Sequence, residues 1–452
     1  MMMRLSEAAQ ALGGQLVGHD VTFSAVSTDS RAISPGDLFV ALRGERFDGH
    51  DYVADCMQLG AVAALVSQPM TGEVPQLVVQ DTRLALGALA ACWRSKFNMP
   101  LAAVTGSNGK TTVKEMLAAI LRVASGNAEA VLSTQGNLNN DIGLPMTLLK
   151  LRAGHQFAVA EMGMNHAGEI AYLTGIGQPT VAVINNALPA HLEGLGSVEG
   201  VARAKGEIFE GLTPNGTAVI NADDAFAPMW QALAAPHRVV SFGLKHAADV
   251  SADYRLKADG SELELKTPQG DAVLNLPAAG LHNVYNALAA TAVALAMGVT
   301  LDAVVGGLQQ FAGAKGRLQR KAGVHGCTVI DDTYNANPAS MQAAIDVLAA
   351  CPGKRILVLG DMGELGADAE RLHAEIGDDV RAAGLDGLLT LGEMSVAYGG
   401  QHFDAPEALY EYLQPQLAAN TTVLVKGSRF MRMERVVALL TETITKESRH
   451  AA

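Results

Sequence analysis

The sequence predicts an α/β protein built from three domains. Its 452 residues suggest roughly three domains, because a domain typically spans about 150 residues. Short apolar runs alternate with helical stretches along most of the chain, a rhythm typical of parallel sheets covered by helices. The rhythm breaks between residues 249 and 276, where apolar residues mostly alternate and turn residues recur. That stretch predicts antiparallel hairpins.

The predicted boundaries follow from these patterns. Residues 1–82 form a small α/β domain with short strands, one of them after Pro35-Gly36-Asp37. Residues 83–313 form a central domain that contains a parallel sheet and the hairpins. A Gly-Ala-Lys-Gly stretch near residue 314 is a plausible linker. Residues 314–452 alternate strands and helices and are predicted to form a Rossmann-like domain.

Composition and charge exclude several functional classes. The formal net charge of −13 argues against nucleic acid as a partner. The four cysteines are scattered without metal-ligand spacing, so we expect free thiols in a reducing compartment. The start of the chain lacks the pattern of a signal peptide, and no apolar stretch is long enough to span a membrane. We therefore expect a soluble, cytoplasmic protein, and we expect it to be a monomer.

The central domain is organised around a shortened phosphate-binding loop. An apolar run before residue 105 predicts a strand, and apolar residues after Lys110 recur with helical spacing. The Gly-rich turn between them directs backbone N–H groups and a helix N-terminus at one point, where phosphate usually binds. The alternative is a tight turn with a solvated lysine, because the spacing is G-x-x-G-K-T and not the full pattern. The candidate nucleotide-binding residues are Gly106, Ser107, Asn108, Gly109, Lys110, Thr111 and Thr112.

Three further residues suit metal and phosphate chemistry. Glu161 ends an apolar run that predicts a buried strand, a position where nucleotide enzymes place a Mg²⁺-binding acid. His191 is a candidate metal ligand, although a lone histidine is more often a surface residue. Lys205 lies among small and apolar residues, and a desolvated amine with a lowered pKa can take up CO₂ as a carbamate. The alternative for Lys205 is a surface lysine with a buried aliphatic stem.

Clusters of polar residues in loops indicate contacts with a polar ligand. One such loop of the central domain holds Asn137, Asn139 and Asn140, and the alternative is a loop of local Asx turns. Loops of the first domain suit a phosphorylated ligand, although ordinary turns with solvated arginines explain them equally well. The residues concerned there are Ser30, Arg31 and Arg43.

Polar residues also mark predicted ligand-facing positions in a later part of the central domain and in the third domain. Asn283 and Asn286 lie in the first turns of a predicted helix, where they cap it or face a nucleotide. A parallel sheet carries its ligand-binding loops at the carboxyl ends of its strands. The third-domain residues placed in such loops are Asp332, Asn335, Lys426 and Arg429.

Short, distinct motifs follow one another in a specific order through all three predicted domains. They are 27–31, 35–41, 106–112, 136–140, Glu161, 185–186, 191–193, 204–209, 282–283, 316–317, 331–338, 360–366 and 425–429. Together they resemble the Mur ligases, the ATP-dependent amino-acid ligases of peptidoglycan precursor synthesis. The resemblance covers nearly the whole chain, and the shortened phosphate loop is normal for that family. Singly most of these motifs are weak, but their combined order is specific.

The resemblance implies a two-step, ATP-dependent ligation. In this family a terminal carboxylate attacks the γ-phosphate of ATP to give an acyl phosphate, and an amine then displaces phosphate. Among family members, the motifs best match the ligation of D-alanyl-D-alanine to UDP-N-acetylmuramoyl-tripeptide (UDP-MurNAc-tripeptide). The implied cofactors are ATP, two Mg²⁺ ions and a carbamylated lysine at Lys205.

The resemblance also implies roles for individual residues. Lys110 and the loop 106–112 hold the β- and γ-phosphates. Thr111 and Glu161 hold one Mg²⁺ ion, and His191, Glu161 and carbamylated Lys205 hold the second. The groups that hold adenine, ribose or the γ-phosphate are Asn283, Asn286, Arg317 and Asp332. Because Arg317 and Asp332 come from the third domain, domain closure would complete the site.

The remaining implied roles concern the substrates. Ser30, Arg31 and the loop 43–48 hold the UDP end. The amides of the central-domain loop line the path of the muramyl-peptide, and they belong to Asn137, Asn139 and Asn140. Asn335 is a further substrate-binding candidate, and Lys426 and Arg429 are candidates for the dipeptide's carboxylate.

Three alternatives stay open. The nearest is the family member that adds the third amino acid, whose diaminopimelate-specific forms carry an Asn-Pro-Arg signature that residues 388–395 lack. Folylpolyglutamate synthase shares the catalytic core but has no need of this N-terminal domain. The third is a nucleotide-binding protein that does not ligate, and the intact candidate residues of the central domain argue against it. The sequence leaves the third residue of the tripeptide undetermined.

Overall fold

Three large sheets, each covered by helices, build the protein. In the computed structural model, which describes residues 1–441, one sheet has five strands and two sheets have six. Their strands come from residues 15–78, 101–242 and 319–426, which confirms the predicted α/β class. The boundaries at 82/83 and 313/314 stay predictions. Residues 442–452, which belong to the predicted third domain, lie outside the described residues.

The N-terminal sheet is largely parallel. The helices and strands of this part of the chain are β1 (Met3–Arg4), α1 (Leu5–Leu12), β2 (Gln15–Val17), β3 (Thr22–Phe23), β4 (Ala25–Ser27), β5 (Asp37–Val40), α2 (Val53–Gln58), β6 (Ala63–Val66), β7 (Gln76–Val78) and α3 (Thr82–Arg94). The strand order is β2-β7-β6-β5-β4, and β2 pairs antiparallel with β7. Strands β1 and β3 form a separate ribbon. Every residue of β5 and β6 is buried, as expected for parallel strands with both faces covered.

The central sheet is wholly parallel. Its elements are β8 (Leu101–Thr105), α4 (Lys110–Ser125), β9 (Val131–Ser133), α5 (Gly143–Leu148), β10 (Phe157–Glu161), α6 (Glu169–Gly177), β11 (Val181–Ile184), α7 (Leu192–Leu195), α8 (Val198–Gly206), β12 (Thr217–Asn221), α9 (Ala227–Ala234) and β13 (Arg238–Phe242). The order is β13-β12-β11-β8-β10-β9. Strand β8 therefore lies between β10 and β11, and its carboxyl end is the point where the strand order reverses. Ligands of open α/β sheets bind at such a point.

Helix α4 follows β8 as the sequence predicts. The predicted apolar face of α4 is fully buried against the central sheet. The residues of this face are Val113, Met116, Leu117, Ile120 and Leu121. Their burial fixes the helix axis, so the N-terminus of α4 stays directed at the carboxyl edge of the sheet.

The predicted hairpins form a separate three-stranded antiparallel sheet. It consists of β14 (Ser251–Leu256), β15 (Ser261–Thr267) and β16 (Gly270–Leu276), followed by α10 (Leu281–Ala296) and α11 (Leu301–Gln309). Alternate residues such as Leu263 and Leu274 are buried in the same core as α10 and α11. The alternation in the sequence therefore reports a sheet with one covered face.

The third sheet is parallel except at one edge. Its elements are β17 (Gln319–Ala322), β18 (Thr328–Asp332), α12 (Pro338–Ala349), β19 (Lys354–Gly360), α13 (Ala369–Ala382), β20 (Gly387–Leu391), β21 (Gln401–Phe403), α14 (Pro406–Leu413), β22 (Thr421–Lys426) and α15 (Glu434–Thr441). The order is β17-β18-β22-β19-β20-β21, and β17 is antiparallel to β18. Strands β18 and β22 end side by side, with Asp332 opposite Lys426.

Two further expectations concern the whole chain. All four cysteines are free thiols. No helix within residues 1–441 has the length and apolar character needed to cross a membrane.

Asp223 fixes the start of α10 relative to the central sheet. Its carboxylate accepts hydrogen bonds from the backbone N–H groups of Leu244 (2.6 Å) and His246 (2.8 Å) and from the Tyr285 hydroxyl (2.8 Å). Burial raises the pKa of this carboxyl, but the hydrogen bonds outweigh burial and lower the pKa to about 2. The side chain thus holds α10, which carries Asn283 and Asn286, against the loop after β13.

We expect Asp223→Asn to reduce the free energy of unfolding by about 2 kcal/mol at pH 7, because several N–H groups lose a charged acceptor. The native pKa lies below the ordinary value of 3.8, so this stabilisation is complete above that pH and is lost as the pH falls toward 2. Chemical denaturation across pH checks this, with Asp259→Asn, at an exposed position, as the control. A difference from wild type that already shrinks between pH 7 and pH 5 would contradict the assignment.

Candidate active site

Two asparagines that follow β11 hold the backbone of the phosphate loop. The Asn186 side-chain oxygen accepts a hydrogen bond from the Asn108 N–H (2.9 Å). The side-chain NH₂ groups of Asn185 and Asn186 both donate to the Asn108 carbonyl, at 3.0 and 3.1 Å. The first N–H groups of α4 have no carbonyl partner within the helix. The loop therefore presents a fixed helix N-terminus, which suits an anion such as phosphate.

Gly109 permits this close packing of side chains against the loop. Its φ is +83°, and an added Cβ would overlap side-chain atoms of Asn286 and Asn185. These two side chains are themselves joined, because Asn185 donates to the Asn286 side-chain oxygen at 2.8 Å. A side chain at position 109 would force the two asparagines away from the loop.

We expect Gly109→Ala to weaken ADP binding at least about 100-fold, equivalent to about 2.7 kcal/mol, because the loop must change shape. Isothermal titration calorimetry measures this. Gly126→Ala is the matched control, since Gly126 also has a positive φ, at the end of α4, with nothing within 4 Å of an added Cβ. The control is expected to lose about 1 kcal/mol of stability and no affinity. Equal losses of affinity in both variants would contradict the assignment.

Lys110 lies over the phosphate loop. Its ammonium donates to the carbonyl groups of Gly106 (2.7 Å) and Ser107 (3.3 Å). Burial lowers the pKa of Lys110, the charge of Glu161 opposes that effect, and the charge of Arg317 adds to it. Lys110 is therefore close to Glu161, a predicted Mg²⁺ ligand, and to Arg317, a predicted nucleotide-binding residue.

Glu161 is the centre of a hydrogen-bonded chain that reaches the third domain. One carboxylate oxygen accepts from the Asn139 amide (2.8 Å), and the other accepts from the Thr111 hydroxyl (2.9 Å). The Thr111 oxygen in turn accepts from the Arg317 guanidinium at 3.1 Å. Glu161 is only 1% exposed. A buried carboxylate beside a hydroxyl oxygen is the kind of hard oxygen donor set that Mg²⁺ prefers, so Thr111 and Glu161 fit one Mg²⁺ ion.

Arg317 has unused hydrogen-bonding capacity at this point. Its guanidinium lies 4.1 Å from the centre of the Tyr334 ring, which fixes its plane. Within the described residues, its Nε and the Asn185 side-chain oxygen are buried without a hydrogen-bond partner. Buried polar atoms normally have partners, so each of these two atoms could still bind a polar ligand atom.

His191 and Lys205 have different surroundings. His191 has a φ of +55°, and its Nδ1 lies 3.1 Å from a carboxylate oxygen of Glu364, a residue of the third domain. This contact lowers the pKa of Glu364. Lys205 is 2% exposed, and burial together with the charge of Lys110 holds its pKa well below the usual value. Within residues 1–441, no group of three His, Cys, Asp or Glu side chains is spaced to hold a metal ion.

The third-domain candidates form an ion pair at the ends of β18 and β22. The Lys426 ammonium lies 2.6 Å from the Asp332 carboxylate and also donates to the Asn335 carbonyl at 2.9 Å. Both charged groups are buried. Arg429 is exposed and lies 3.2 Å from the carboxylate of Glu434. The roles predicted for these residues in nucleotide or dipeptide binding stay predictions.

The asparagines of the central-domain loop differ in whether they face the site or form local turns. Asn139 bonds to Glu161 at the site, as a ligand-facing loop would. Asn140 instead accepts hydrogen bonds from the N–H groups of Ile142 (3.3 Å) and Gly143 (2.8 Å), which is a local turn at the start of α5. Asn137 is exposed.

The first-domain arginines pair with neighbouring acids. Arg31 lies 2.8 Å from Asp29, and Arg43 lies 2.8 Å from Asp48. Both guanidinium groups are largely exposed, and Ser30 begins the 3₁₀ turn that contains Arg31. The two loops follow β4 and β5, at the carboxyl ends of adjacent parallel strands. Their predicted contact with UDP stays a prediction.

Asn283 and Asn286 are buried at the start of α10. Asn286 donates to the Asn283 side-chain oxygen (3.0 Å), and Asn283 donates to the Ala279 carbonyl (2.8 Å). With the bond from Asn185, these contacts join α10 to the phosphate loop. The role predicted for both residues in nucleotide binding stays a prediction.

No sequence motif assigns a role to Lys114. It is 1% exposed, and its ammonium donates to the Thr134 carbonyl at 2.8 Å. The Thr134 hydroxyl accepts from the backbone N–H of Glu161 at 2.9 Å. Lys114 therefore supports the end of the strand that carries Glu161. The sequence does indicate the burial of Lys114, because a lysine three residues before Leu117 falls on the apolar face of α4.

Similarity to known proteins shows the family to which this chain belongs. Family models match this chain as the Mur ligase family catalytic domain (22–120), the Mur ligase middle domain (104–294) and the Mur ligase glutamate ligase domain (316–429). The UDP-N-acetylmuramoyl-tripeptide–D-alanyl-D-alanine ligase of Escherichia coli is 47% identical over 450 residues, which are 98% of this chain and 99% of the relative. The chain belongs to the Mur ligase family.

Solved Mur ligase structures agree with the fold. A crystal structure of MurF from Acinetobacter baumannii is 41% identical, covers 97% of this chain and 98% of its own, and has a TM-score of 0.89. The MurF ligase from Thermotoga maritima in complex with ADP is 29% identical, covers 92% of this chain and 96% of its own, and has a TM-score of 0.81. As a Mur ligase, this chain is an ATP-dependent ligase of peptidoglycan synthesis, as the resemblance implied.

Proposed function

We propose that this Mur ligase joins D-alanyl-D-alanine to the terminal carboxyl group of UDP-MurNAc-tripeptide. The observation that carries the proposal is the similarity over nearly the full length of both chains to a ligase of that name. The contacts that join Thr111 to Glu161 and to Arg317, with the Lys110 ammonium over the adjacent loop, support it, because cationic and oxygen groups lie beside the start of α4. A ligase for the third amino acid and a non-ligating nucleotide protein are the alternatives that the test below separates.

The first step activates the tripeptide. A carboxylate oxygen attacks the γ-phosphorus of ATP, the bond from that phosphorus to the β–γ bridging oxygen breaks, and ADP leaves. Two anions must meet, so the residues have to neutralise charge before the bond forms. The N–H groups at the start of α4 and the Lys110 ammonium hold the phosphates, and Arg317 brings a positive charge from the third domain.

The second step forms the peptide bond. The amine of the dipeptide attacks the carbonyl carbon of the acyl phosphate, loses a proton, and expels phosphate with the oxygen that came from the carboxylate. Water would hydrolyse the mixed anhydride, so the site must be closed while it exists. The contacts from Arg317 to Thr111 and from Glu364 to His191 are the ones with which the third domain would cover the site.

Metal binding is part of the proposal. Bound Mg²⁺ supplies charge neutralisation for the phosphate oxygens. We assign one ion to Thr111 and Glu161, whose oxygens lie together, and a second ion to His191, Glu161 and Lys205. For the second ion we propose that Lys205 is carbamylated, because its lowered pKa leaves more of the neutral amine that reacts with CO₂. A carbamate would turn a buried cation into an anionic oxygen ligand.

The remaining assignments concern the ends of the substrates. We propose that Arg31 and Arg43 exchange their acidic neighbours for the diphosphate of UDP, and that Lys426 or Arg429 meets the carboxylate of the dipeptide. Asn335 remains a candidate contact for the peptide. ATP and a UDP-linked substrate would place the reaction in the cytoplasm, and a monomer carries all the groups that are named.

A coupled assay tests the proposal. ATP, Mg²⁺, UDP-MurNAc-tripeptide and D-alanyl-D-alanine are mixed with the protein, each is omitted in turn, and phosphate release and product mass are read together. The expected product is heavier than the tripeptide substrate by one dipeptide less water and forms only in the complete mixture. Ligation of a single amino acid to a shorter acceptor would favour the ligase for the third residue. Phosphate release that depends on neither substrate would leave only nucleotide hydrolysis.

A further inference from the structure

A pair of carboxamides joins the phosphate loop directly to the third domain. The Asn337 side-chain NH₂ donates to the Asn108 side-chain oxygen at 2.8 Å, and the Asn108 NH₂ donates back to the Asn337 oxygen at 3.3 Å. The two residues are 229 positions apart in the chain. Asn108 is the residue before Gly109, so this contact lies at the turn that faces the phosphates.

The Asn108 side of the pair is held rigidly. Among the described residues, the hydrogen bonds that fix its backbone come from Asn185 and Asn186, which follow β11 at the centre of the sheet. The carboxamide of Asn108 takes no part in those bonds. It is therefore free to contact the third domain without a change in the shape of the loop.

The Asn337 side is held equally well. Asn337 is the N-cap of α12, with its oxygen accepting from the Ser340 N–H (2.9 Å) and its own N–H donating to the Ser340 hydroxyl (2.9 Å). Pro338 begins the helix with a fixed φ. The same side chain thus caps the helix with its oxygen and reaches Asn108 with its nitrogen. Asp and Ser also cap helices well, but neither has an NH₂ group to donate.

We propose that Asn337 is a positioning residue that sets the third domain over the nucleotide through Asn108. The proposal rests on the proposed nucleotide site but not on the identity of the peptide substrates. Two rigid ends joined by a two-way amide contact restrict where α12, and the preceding segment with Asp332 and Asn335, can lie relative to the phosphate loop. This contact transmits a movement of the phosphate loop to the third domain. The hydrogen bond from Arg317 to Thr111 is a second connection between the same two parts.

Separate variants distinguish positioning from helix capping. Asn337→Ser keeps an N-cap but is too short to reach Asn108, whereas Asn337→Ala removes both functions. Asn108→Ala removes the other half of the pair and leaves the backbone contacts of the loop in place. Gln342→Ser is the control, because Gln342 lies on the same helix and bonds to Asp346 within it.

The experiment measures ADP affinity by calorimetry, domain arrangement by small-angle X-ray scattering with and without ADP, and kcat and KM for ATP. For Asn337→Ser we expect a melting temperature close to that of wild type, about 5-fold weaker ADP binding, and a larger radius of gyration in saturating ADP, because the orientation that binds is populated less. We expect kcat to fall and KM for ATP to rise. The double variant Asn108→Ala/Asn337→Ser should lose no more than either single variant, since both remove the same contact.

The results distinguish an error in the proposed nucleotide site from an error in the positioning role of Asn337. If wild-type protein does not bind ADP, the proposed nucleotide site is wrong. If wild type binds ADP while Asn337→Ser and Asn108→Ala match it in affinity and scattering, only the positioning role is wrong. Losses that multiply in the double variant would also overturn the pair. If Asn337→Ser fails to fold, Asn337→Thr, which also keeps an N-cap and is too short to reach Asn108, takes its place.

Discussion

Replacing Lys205 by alanine is expected to lower kcat at least about 100-fold, the size of effect seen when one preorganised group at a reacting centre is removed. Lys205 is buried, close enough to Lys110 for that charge to lower its pKa, and sited in the same predicted domain as the phosphate loop. An ammonium group at Lys205 would be repelled by the charge of Lys110. Carbamylation removes this repulsion and supplies a carboxylate-like ligand for metal. Added bicarbonate is not expected to restore Lys205→Ala, because no amine remains to react.

The variant Lys205→Arg tests the need for a carbamate separately from the loss of a long, charged side chain. Arginine keeps the positive charge and most of the length, but its guanidinium stays protonated and cannot form the carbamate. We therefore expect Lys205→Arg to be as inactive as Lys205→Ala, while Lys245→Ala, at an exposed position, keeps wild-type kcat. Full activity in either Lys205 variant would remove the carbamate from the mechanism. Melting temperatures of all three variants show whether the fold survives.

Glu161→Gln is expected to lower kcat by about 1000-fold and to raise the Mg²⁺ concentration needed for half-maximal activity. Glutamine has nearly the same size and keeps one oxygen for Asn139 or Thr111, so the local packing is preserved. It loses the negative charge and one of the two acceptor oxygens that hold those partners. The loss should therefore affect metal binding more than folding.

Mg²⁺ titrations of ADP binding and of ligation measure this effect. Glu210→Gln, at an exposed position, is the matched control and should titrate as wild type does. A Glu161→Gln protein with an unchanged Mg²⁺ dependence would contradict the assignment of Glu161 as a metal ligand, even if kcat fell. Excess Mg²⁺ that partly restores the variant would strengthen the assignment.

The parts of the fold with strong local patterns could be predicted from the sequence. The helix after Lys110 and the hairpins of residues 251–276 are set by periodic apolar residues, and both have the predicted form. Glu161 could be placed at a strand end because β10 is a short buried run. Asn140 shows the limit of this reasoning, because an amide-rich loop has the same composition whether its side chains cap a helix or face a ligand.

The contacts between domains could not be predicted in the same way. Arg317 and Thr111 are 206 positions apart, and Asn108 and Asn337 are farther apart still. Such pairs depend on how rigid sheets are placed relative to each other, which no local pattern encodes. The same holds for His191, whose contact with Glu364 joins two loops with positive φ values. A lone histidine in a sequence gives no sign of such a partner.

Tracing oxygen from the tripeptide to the released phosphate tests directly whether the carboxylate becomes an acyl phosphate. UDP-MurNAc-tripeptide labelled with ¹⁸O in its terminal carboxylate is incubated with ATP, Mg²⁺, D-alanyl-D-alanine and the protein, and the released phosphate is analysed by mass. An acyl phosphate intermediate predicts one ¹⁸O atom in each phosphate, formed only when the dipeptide is ligated. Unlabelled phosphate released alongside ligated product would show that the carboxylate never bonds to the γ-phosphorus, and the mechanism would have to be abandoned.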